Sequence, residues 1–240
     1  MGMREDFRHV TLMGMSGVGK THWAWEFEKA GWHHYNCDYL IGVLLKDELE
    51  KAGCGQVSLS NLDPLSDFIG QVGKGKLGLE EFKRRQTLYI EAEARVLREL
   101  RGVIAASGQR VVNDATGSLC EIEDAGVIEQ LAEDTVFVYI KAGPEHEAAL
   151  VEQAQREPKP LYFPPALFDR WLAEYMEQKK VSRVEEMDAN DFSAWVFPKL
   201  FRSRLPKYEA LAAKHGVVIA ADDARAMTST DEFLNAITHG

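Results

Sequence analysis

The chain has 240 residues, of which 28 are Lys or Arg and 38 are Asp or Glu, so its formal net charge is −10 at pH 7. A charged fraction of 28% and an apolar fraction of 45% are ordinary for a globular protein, and a chain of this length can build a core without disulfides. The acidity argues against a broad basic face of the kind that grips DNA or RNA, but it is compatible with a local anion-binding pocket.

The cysteines and the N-terminal residues bear on the compartment. Cys37, Cys54 and Cys120 are an odd number of widely spaced cysteines without a CxxC pair, which suits a reducing compartment. The first ten residues, MGMREDFRHV, contain no apolar segment of the signal-peptide type, and no apolar run reaches the ~18–20 residues of a membrane span. The sequence therefore predicts a cytoplasmic protein that binds neither nucleic acid nor membrane.

Taken in chain order, β-type segments alternate with helical ones. The predicted strands are 10–13, 33–37, 110–114, 135–140 and 217–220. The predicted helices are 20–30, 39–51, 65–69, 79–106, 120–131, 145–155, 166–178, 191–201, 207–214 and one that begins after the capping box at 229–232. Such alternation is typical of an α/β fold with a parallel sheet covered on both faces. We expect a single domain over residues 1–240.

A glycine-rich segment between the first strand and the first helix fits the pattern G-x-x-x-x-G-K-[ST] at every fixed position. Its residues are Gly14, Met15, Ser16, Gly17, Val18, Gly19, Lys20 and Thr21. Glycines let backbone N–H groups surround a phosphate, and the following helix adds its positive N-terminal end. Lys20 can then reach the β- and γ-phosphates, and the Thr21 hydroxyl can bind Mg²⁺. The segment predicts a nucleotide-phosphate site that takes ATP and Mg²⁺.

Other classes of protein with this phosphate-binding loop carry additional motifs that this sequence lacks. The sequence has no N-K-x-D or T-K-x-D element for reading guanine, and no acidic pair after a strand of the kind that motor ATPases carry. Asp114 is the one acidic residue that ends a buried-type strand.

Four further segments follow the loop in a set order. They are Asn36-Cys37-Asp38, Phe82-Lys83-Arg84-Arg85-Gln86, Arg156-Glu157-Pro158-Lys159-Pro160 and Arg204-Leu205-Pro206-Lys207-Tyr208. With the loop, they resemble the motifs of the shikimate kinases and their small-molecule kinase relatives, near the nucleoside-monophosphate kinase fold. The resemblance implies a five-stranded parallel sheet with helices on both faces and an enlarged helical lid region at about 156–203.

The resemblance also implies a role for each segment. Asp38 would contact the acceptor hydroxyl that receives the phosphate, and Asp114 could replace a Mg²⁺-holding Asp whose position is taken by Asn36. Arg156 and Lys159 would cover the nucleotide phosphates. The acceptor would be held by Lys83, Arg84, Gly117 and Arg204, the three cations serving an anionic group.

Several positions depart from the family pattern. Lys83 stands for an Arg, Gln86 for a Glu, and Ala115-Thr116-Gly117 for three glycines, which argues against shikimate itself as the acceptor. The favoured function is therefore an ATP-dependent kinase for a small, anionic metabolite. The alternatives are a nucleotide-binding regulatory or assembly ATPase without an acceptor, and a nucleotide or gluconate-type kinase of the same fold.

Residues 162–203 are longer than the corresponding part of that family and rich in aromatic side chains. Helical spacing favours a core role for these aromatics. A surface for docking a protein partner is the alternative.

Overall fold

Five parallel strands form one sheet in the order β2-β3-β1-β4-β5. The structure is a computed structural model, and it describes residues 9–239. Most of the N-terminal segment used to predict the compartment lies outside the described residues. The strands are β1 (His9–Met13), β2 (His33–Asn36), β3 (Val111–Asp114), β4 (Val136–Lys141) and β5 (Gly216–Ala220). This sheet confirms the predicted fold class.

Eleven α-helices accompany the sheet within the described residues. They are α1 (Lys20–Lys29), α2 (Cys37–Leu44), α3 (Lys46–Lys51), α4 (Asp63–Ile69), α5 (Leu79–Ser107), α6 (Ala125–Asp134), α7 (Pro144–Arg156), α8 (Pro165–Lys179), α9 (Ala189–His215), α10 (Ala221–Ala226) and α11 (Thr230–His239). None of them is long and apolar enough to cross a membrane.

The described residues divide into two compact units. The first comprises residues 9–37, 94–147 and 204–239, and the second comprises Asp38–Glu93 and Ala148–Ser203. The sheet belongs to the first unit. Every residue of β3, and all but one residue of β1 and β4, is buried, so both faces of the sheet centre are covered.

The second unit has an aromatic core of its own. Its buried members include Phe82 from α5, together with most of the aromatic residues in the 162–203 segment. Those aromatics are Phe163, Phe168, Trp171, Tyr175 and Phe192. The core role predicted for them is confirmed, while docking of a protein partner on this segment stays a prediction.

Three predicted helix boundaries were wrong. The 39–51 helix is two helices, α2 and α3, and the 120–131 helix begins only at Ala125. It begins there because the Asp124 carboxylate accepts hydrogen bonds from the N–H groups of Gly126 and Val127, which makes Asp124 the N-cap.

The third error concerns α9, which was predicted as two helices. It runs through Pro198 and Pro206, although a proline removes a helical hydrogen bond. Phe192, Val196 and Leu200 recur at four-residue spacing and are fully buried, so tertiary packing offsets the local cost of Pro198.

Candidate functional site

The phosphate-binding loop joins the end of β1 to the beginning of α1. Gly14, Gly17 and Gly19 have φ values of +141°, +90° and +102°, a region that favours glycine. At Gly14 an added Cβ would lie 2.7 Å from the carbonyl oxygen of Ile140, so the loop can pass β4 at this distance only with glycine. An added Cβ on Gly19 would meet nothing within 4 Å, so that side of the loop is open.

Lys20 is the first residue of α1, and its side chain folds back over the loop. Its Nζ atom donates to the carbonyl oxygens of Gly14, at 2.9 Å, and Met15, at 3.1 Å. Lys20 is buried at 7% exposure. A glycine-rich loop that holds a cation at a helix N-terminus is a suitable receptor for a nucleotide phosphate.

A cavity of about 320 Å³ lies beside the loop. It is lined by Gly17, Val18, Gly19, His22, Trp23, Ala221, Ala224 and Arg225. Its walls combine the face of α1 that follows Lys20 with α10, which comes directly after β5. Its position makes it the candidate pocket for the nucleoside part of a nucleotide. The cavity size is compatible with a nucleoside, and the loop geometry is compatible with nucleotide phosphates.

The carboxyl ends of three strands line up next to the loop. Asp114, the last residue of β3, is opposite Asn36 on β2 and Leu12 on β1. The Asp114 carboxylate is almost fully buried, and its Oδ2 atom lies 3.6 Å from Nε2 of His34. Thr21 is exposed at the beginning of α1. A carboxylate and a hydroxyl are oxygen donors of the type that Mg²⁺ uses together with phosphate oxygens, so this donor set fits the ion.

The Tyr208 side chain links the loop to the segment after β3. Its hydroxyl lies 2.8 Å from the carbonyl oxygen of Gly117 and 3.3 Å from that of Gly14. The ring is fully buried and stacks on Tyr139, with centroids 5.2 Å apart. Tyr208 therefore fixes the position of Gly117 relative to Gly14, the first residue of the loop.

Arg204 is part of a buried ion pair. Its Nε atom lies 3.2 Å from Oε1 of Glu121, and the Glu121 side chain is only 1% exposed. Lys207 donates to the other oxygen of the same carboxylate. Arg204 was predicted to hold an anionic group of the acceptor, and in this structure its guanidinium already contacts a carboxylate of the chain.

The two other cations predicted on the acceptor side lie on α5 in the second unit. Lys83 Nζ is 2.7 Å from Oδ1 of Asp169. Arg84 is paired with Glu48 at 2.8 Å and, through two nitrogens, with Glu81. Hydrogen bonds from Arg84 and then Arg85 lower the pKa of Glu81 to about 2.

Three further predicted residues, Asp38, Arg156 and Lys159, belong to the second unit. Asp38 is the second residue of α2, at the point where the chain leaves the sheet, and it is half-buried. Arg156 ends α7, and Lys159 follows in the irregular segment before α8. Both cations are exposed, and within residues 9–239 neither forms an ion pair.

Sequence reasoning missed His22 and Arg225 in the cavity, and it missed Glu121. His22 lies in the first turn of α1, so the predicted helix boundary could have placed it next to the loop. Glu121 is 83 positions from Arg204 in the chain, and no local pattern marks such a pair.

Comparison with known proteins gives likenesses only at the level of structure. No protein-family model matches the chain, and no curated protein matches it. Among solved structures, a shikimate kinase from Bacteroides thetaiotaomicron has 14% identity and a TM-score of 0.47, with 89% of this chain and 86% of that chain covered. A shikimate kinase from Acinetobacter baumannii, solved in complex with shikimate, has 18% identity and a TM-score of 0.49, with 97% and 94% covered. The fold assignment rests on the strand order and the loop, not on these two likenesses.

Proposed function

We propose that this chain is an ATP-dependent phosphotransferase that moves the γ-phosphate of ATP to a hydroxyl group of a small metabolite. The observation that carries the proposal is the phosphate-binding loop between β1 and α1, over which Lys20 folds back to donate to the carbonyl oxygens of Gly14 and Met15. In this proposal residues 1–240 act as one kinase domain, and 156–203 form its lid and helical insertion.

The loop residues Gly14 to Thr21 bind the nucleotide phosphates, and the cavity beside them receives the nucleoside. Thr21 and Asp114 would hold the magnesium ion that accompanies ATP. The bound ion would offset the negative charge of the phosphate oxygens. Lys20 stabilises the negative charge that develops on the transferring group.

The remaining groups have the roles that the sequence resemblance implies. Asp38 orients the acceptor hydroxyl and accepts its proton as the hydroxyl oxygen attacks. Arg156 and Lys159 close over the nucleotide phosphates, and their lack of acidic partners within the described residues supports this assignment. Gly117, Lys83, Arg84 and Arg204 are proposed to line the acceptor.

An acceptor panel tests the proposal. The protein is incubated with Mg-ATP and, one at a time, with hydroxy acids, sugars, polyols and nucleosides, and ADP and phosphorylated products are measured. We expect one class to raise the rate of ADP release by at least about tenfold and to yield a phosphate monoester. ADP release that is independent of every acceptor, with inorganic phosphate as the sole product, would instead identify a regulatory or assembly ATPase.

A further inference from the structure

The side chain of His34 on β2 lies between two carboxylates of the first unit. It is buried, and its Nδ1 atom lies 3.5 Å from Oε2 of Glu28 on α1. On the other side of the ring, its Nε2 atom lies 3.6 Å from Oδ2 of Asp114 on β3. These contacts place Asp114 on the face of the sheet that packs against α1, the helix that begins at the phosphate-binding loop.

Asp114 is a buried carboxylate without a hydrogen bond. Its side chain is 6% exposed, and within residues 9–239 it accepts no hydrogen bond. The Nε2 atom of His34 is likewise buried and has no hydrogen-bond partner. Burial of a charge that is not hydrogen-bonded is costly. The Asp114 carboxylate is therefore suited to contact a cation, which is the role that the proposed function gives it.

The strand pairing fixes the position of this histidine relative to the carboxylate. Asn36 is opposite Asp114 in the pairing of β2 with β3. His34 precedes Asn36 by two residues, so His34 and Asp114 are diagonal neighbours on one face of the sheet. The N–H group of Ala115 donates to the carbonyl oxygen of Leu12 at 3.2 Å, which ties the end of β3 to the strand that leads into the loop.

We propose that His34 is a positioning residue for the metal site: its imidazole holds Oδ2 of Asp114 and leaves the second carboxylate oxygen for the magnesium ion. A small rotation of either side chain would bring Nε2 and Oδ2 within the ~3.2 Å of a hydrogen bond. Groups that hydrogen-bond to a metal ligand orient it and tune its affinity for the ion. This inference rests on the proposed function, because it takes Asp114 as a magnesium ligand.

A non-hydrolysable ATP analogue tests the inference without turnover. Its Kd for the full chain is measured by calorimetry in excess Mg²⁺ and again in EDTA, and the ratio of the two Kd values gives the contribution of the metal. We expect His34→Ala to weaken binding in Mg²⁺ by about tenfold, while binding in EDTA stays within about twofold of the wild type. Unchanged binding in EDTA shows that the fold and the loop are intact, which a merely structural role of His34 does not predict.

Three further variants make the result decisive. His34→Gln restores an N–H donor near the position of Nε2, so binding in Mg²⁺ should return to within about threefold of the wild type. His33→Ala is the matched control and should change neither Kd, because His33 is the preceding residue of β2 and its side chain lies on the opposite face. Glu28 is 57% exposed, so Glu28→Gln should fold even if the His34 variants do not. It should weaken binding in Mg²⁺ alone, by about threefold, because the ring loses its contact at Nδ1.

A ratio of the two Kd values that is the same in the wild type, His34→Ala and Glu28→Gln would overturn the inference. A His34→Gln variant as weak as His34→Ala would overturn it as well, because a hydrogen-bond donor would then not be what matters. The proposed function fails on a different observation, the absence of acceptor-dependent phosphate transfer in the panel, and the Kd ratios decide the role of His34 even then.

Discussion

At the scale of single residues, Lys20 combines burial with two hydrogen bonds to loop carbonyls. A buried ammonium that donates to backbone carbonyl oxygens can exchange them for phosphate oxygens. We expect Lys20→Ala to lower kcat by at least about a hundredfold, because it removes the cation that the proposed function places against the transferring group. The check is the initial rate of phosphate transfer, with the exposed Lys29→Ala on the same helix as the control. Near-normal transfer in Lys20→Ala would contradict the assignment.

Asp38 should affect chemistry more than nucleotide binding. We expect Asp38→Asn to lower kcat by about a hundredfold or more, because an amide cannot accept the proton of the acceptor hydroxyl. The affinity for ATP should change little, since the loop is intact. Steady-state kinetics and nucleotide titration give the two numbers separately. If the affinity for ATP fell while kcat stayed unchanged, Asp38 would contribute to nucleotide binding and not to the transfer step.

Tyr208 should matter through its hydroxyl, which contacts the Gly14 and Gly117 carbonyls. Tyr208→Phe keeps the stacked ring and removes those contacts, so we expect a loss of about 1–2 kcal/mol in the free energy of unfolding. ATP should also bind more weakly. Tyr139→Phe is the control, because within the described residues the Tyr139 hydroxyl makes no hydrogen bond and only its ring contacts Tyr208. Equal losses in the two variants would show that the hydroxyl does not fix the loop.

At the scale of elements, α9 offers a test of how packing overrides local preference. Pro198 interrupts the hydrogen bonds of a 27-residue helix. We expect Pro198→Ala to raise the free energy of unfolding by about 1 kcal/mol, as measured by urea denaturation, since it restores one helical N–H donor.

The control for this prediction is another proline of the same unit. Pro165 lies in the first turn of α8, where a missing N–H group costs nothing. Pro165→Ala should therefore leave the free energy of unfolding unchanged or slightly lower. A destabilised Pro198→Ala would mean that the proline ring packs in a way that the alanine cannot replace.

The elements also show what a sequence can predict. All five strands were predicted to within one residue at each end, because buried apolar runs bounded by polar residues mark them. The capping box at 229–232 was confirmed as well, with the Glu232 N–H donating to Ser229 Oγ and the Thr228 N–H donating to the Glu232 carboxylate. These signals are local in the chain.

The features that were not predicted depend on tertiary contacts. The continuity of α9 depends on burial of Phe192, Val196 and Leu200. A proline at position 198 indicates a helix end when the sequence is considered alone. In the candidate site, the loop was evident from its motif, whereas the Arg204–Glu121 pair and the Tyr208 contacts join residues 83 to 194 positions apart. Such contacts determine whether a predicted binding residue is available to a ligand.

At the scale of the whole molecule, a net charge of −10 coexists with a buried Lys20 ammonium on the glycine-rich loop. A ligand that binds only the folded state stabilises it by mass action, and at about 100 times its Kd it adds about 2.7 kcal/mol. We therefore expect Mg-ATP, at that excess, to raise the Tm by about 5–10 °C. Lys20→Ala should lose most of this shift at the same concentration. A wild-type Tm that is insensitive to Mg-ATP would contradict nucleotide binding.

The destination of the γ-phosphate tests the central claim most directly. The protein is incubated with Mg-ATP and a mixture of small metabolites in water enriched in heavy oxygen, and the products are resolved by phosphorus NMR and mass spectrometry. A kinase places the phosphate on an acceptor hydroxyl, so we predict a new phosphate monoester that carries no heavy oxygen from the solvent. Inorganic phosphate that carries solvent oxygen, with no monoester formed, would contradict the account.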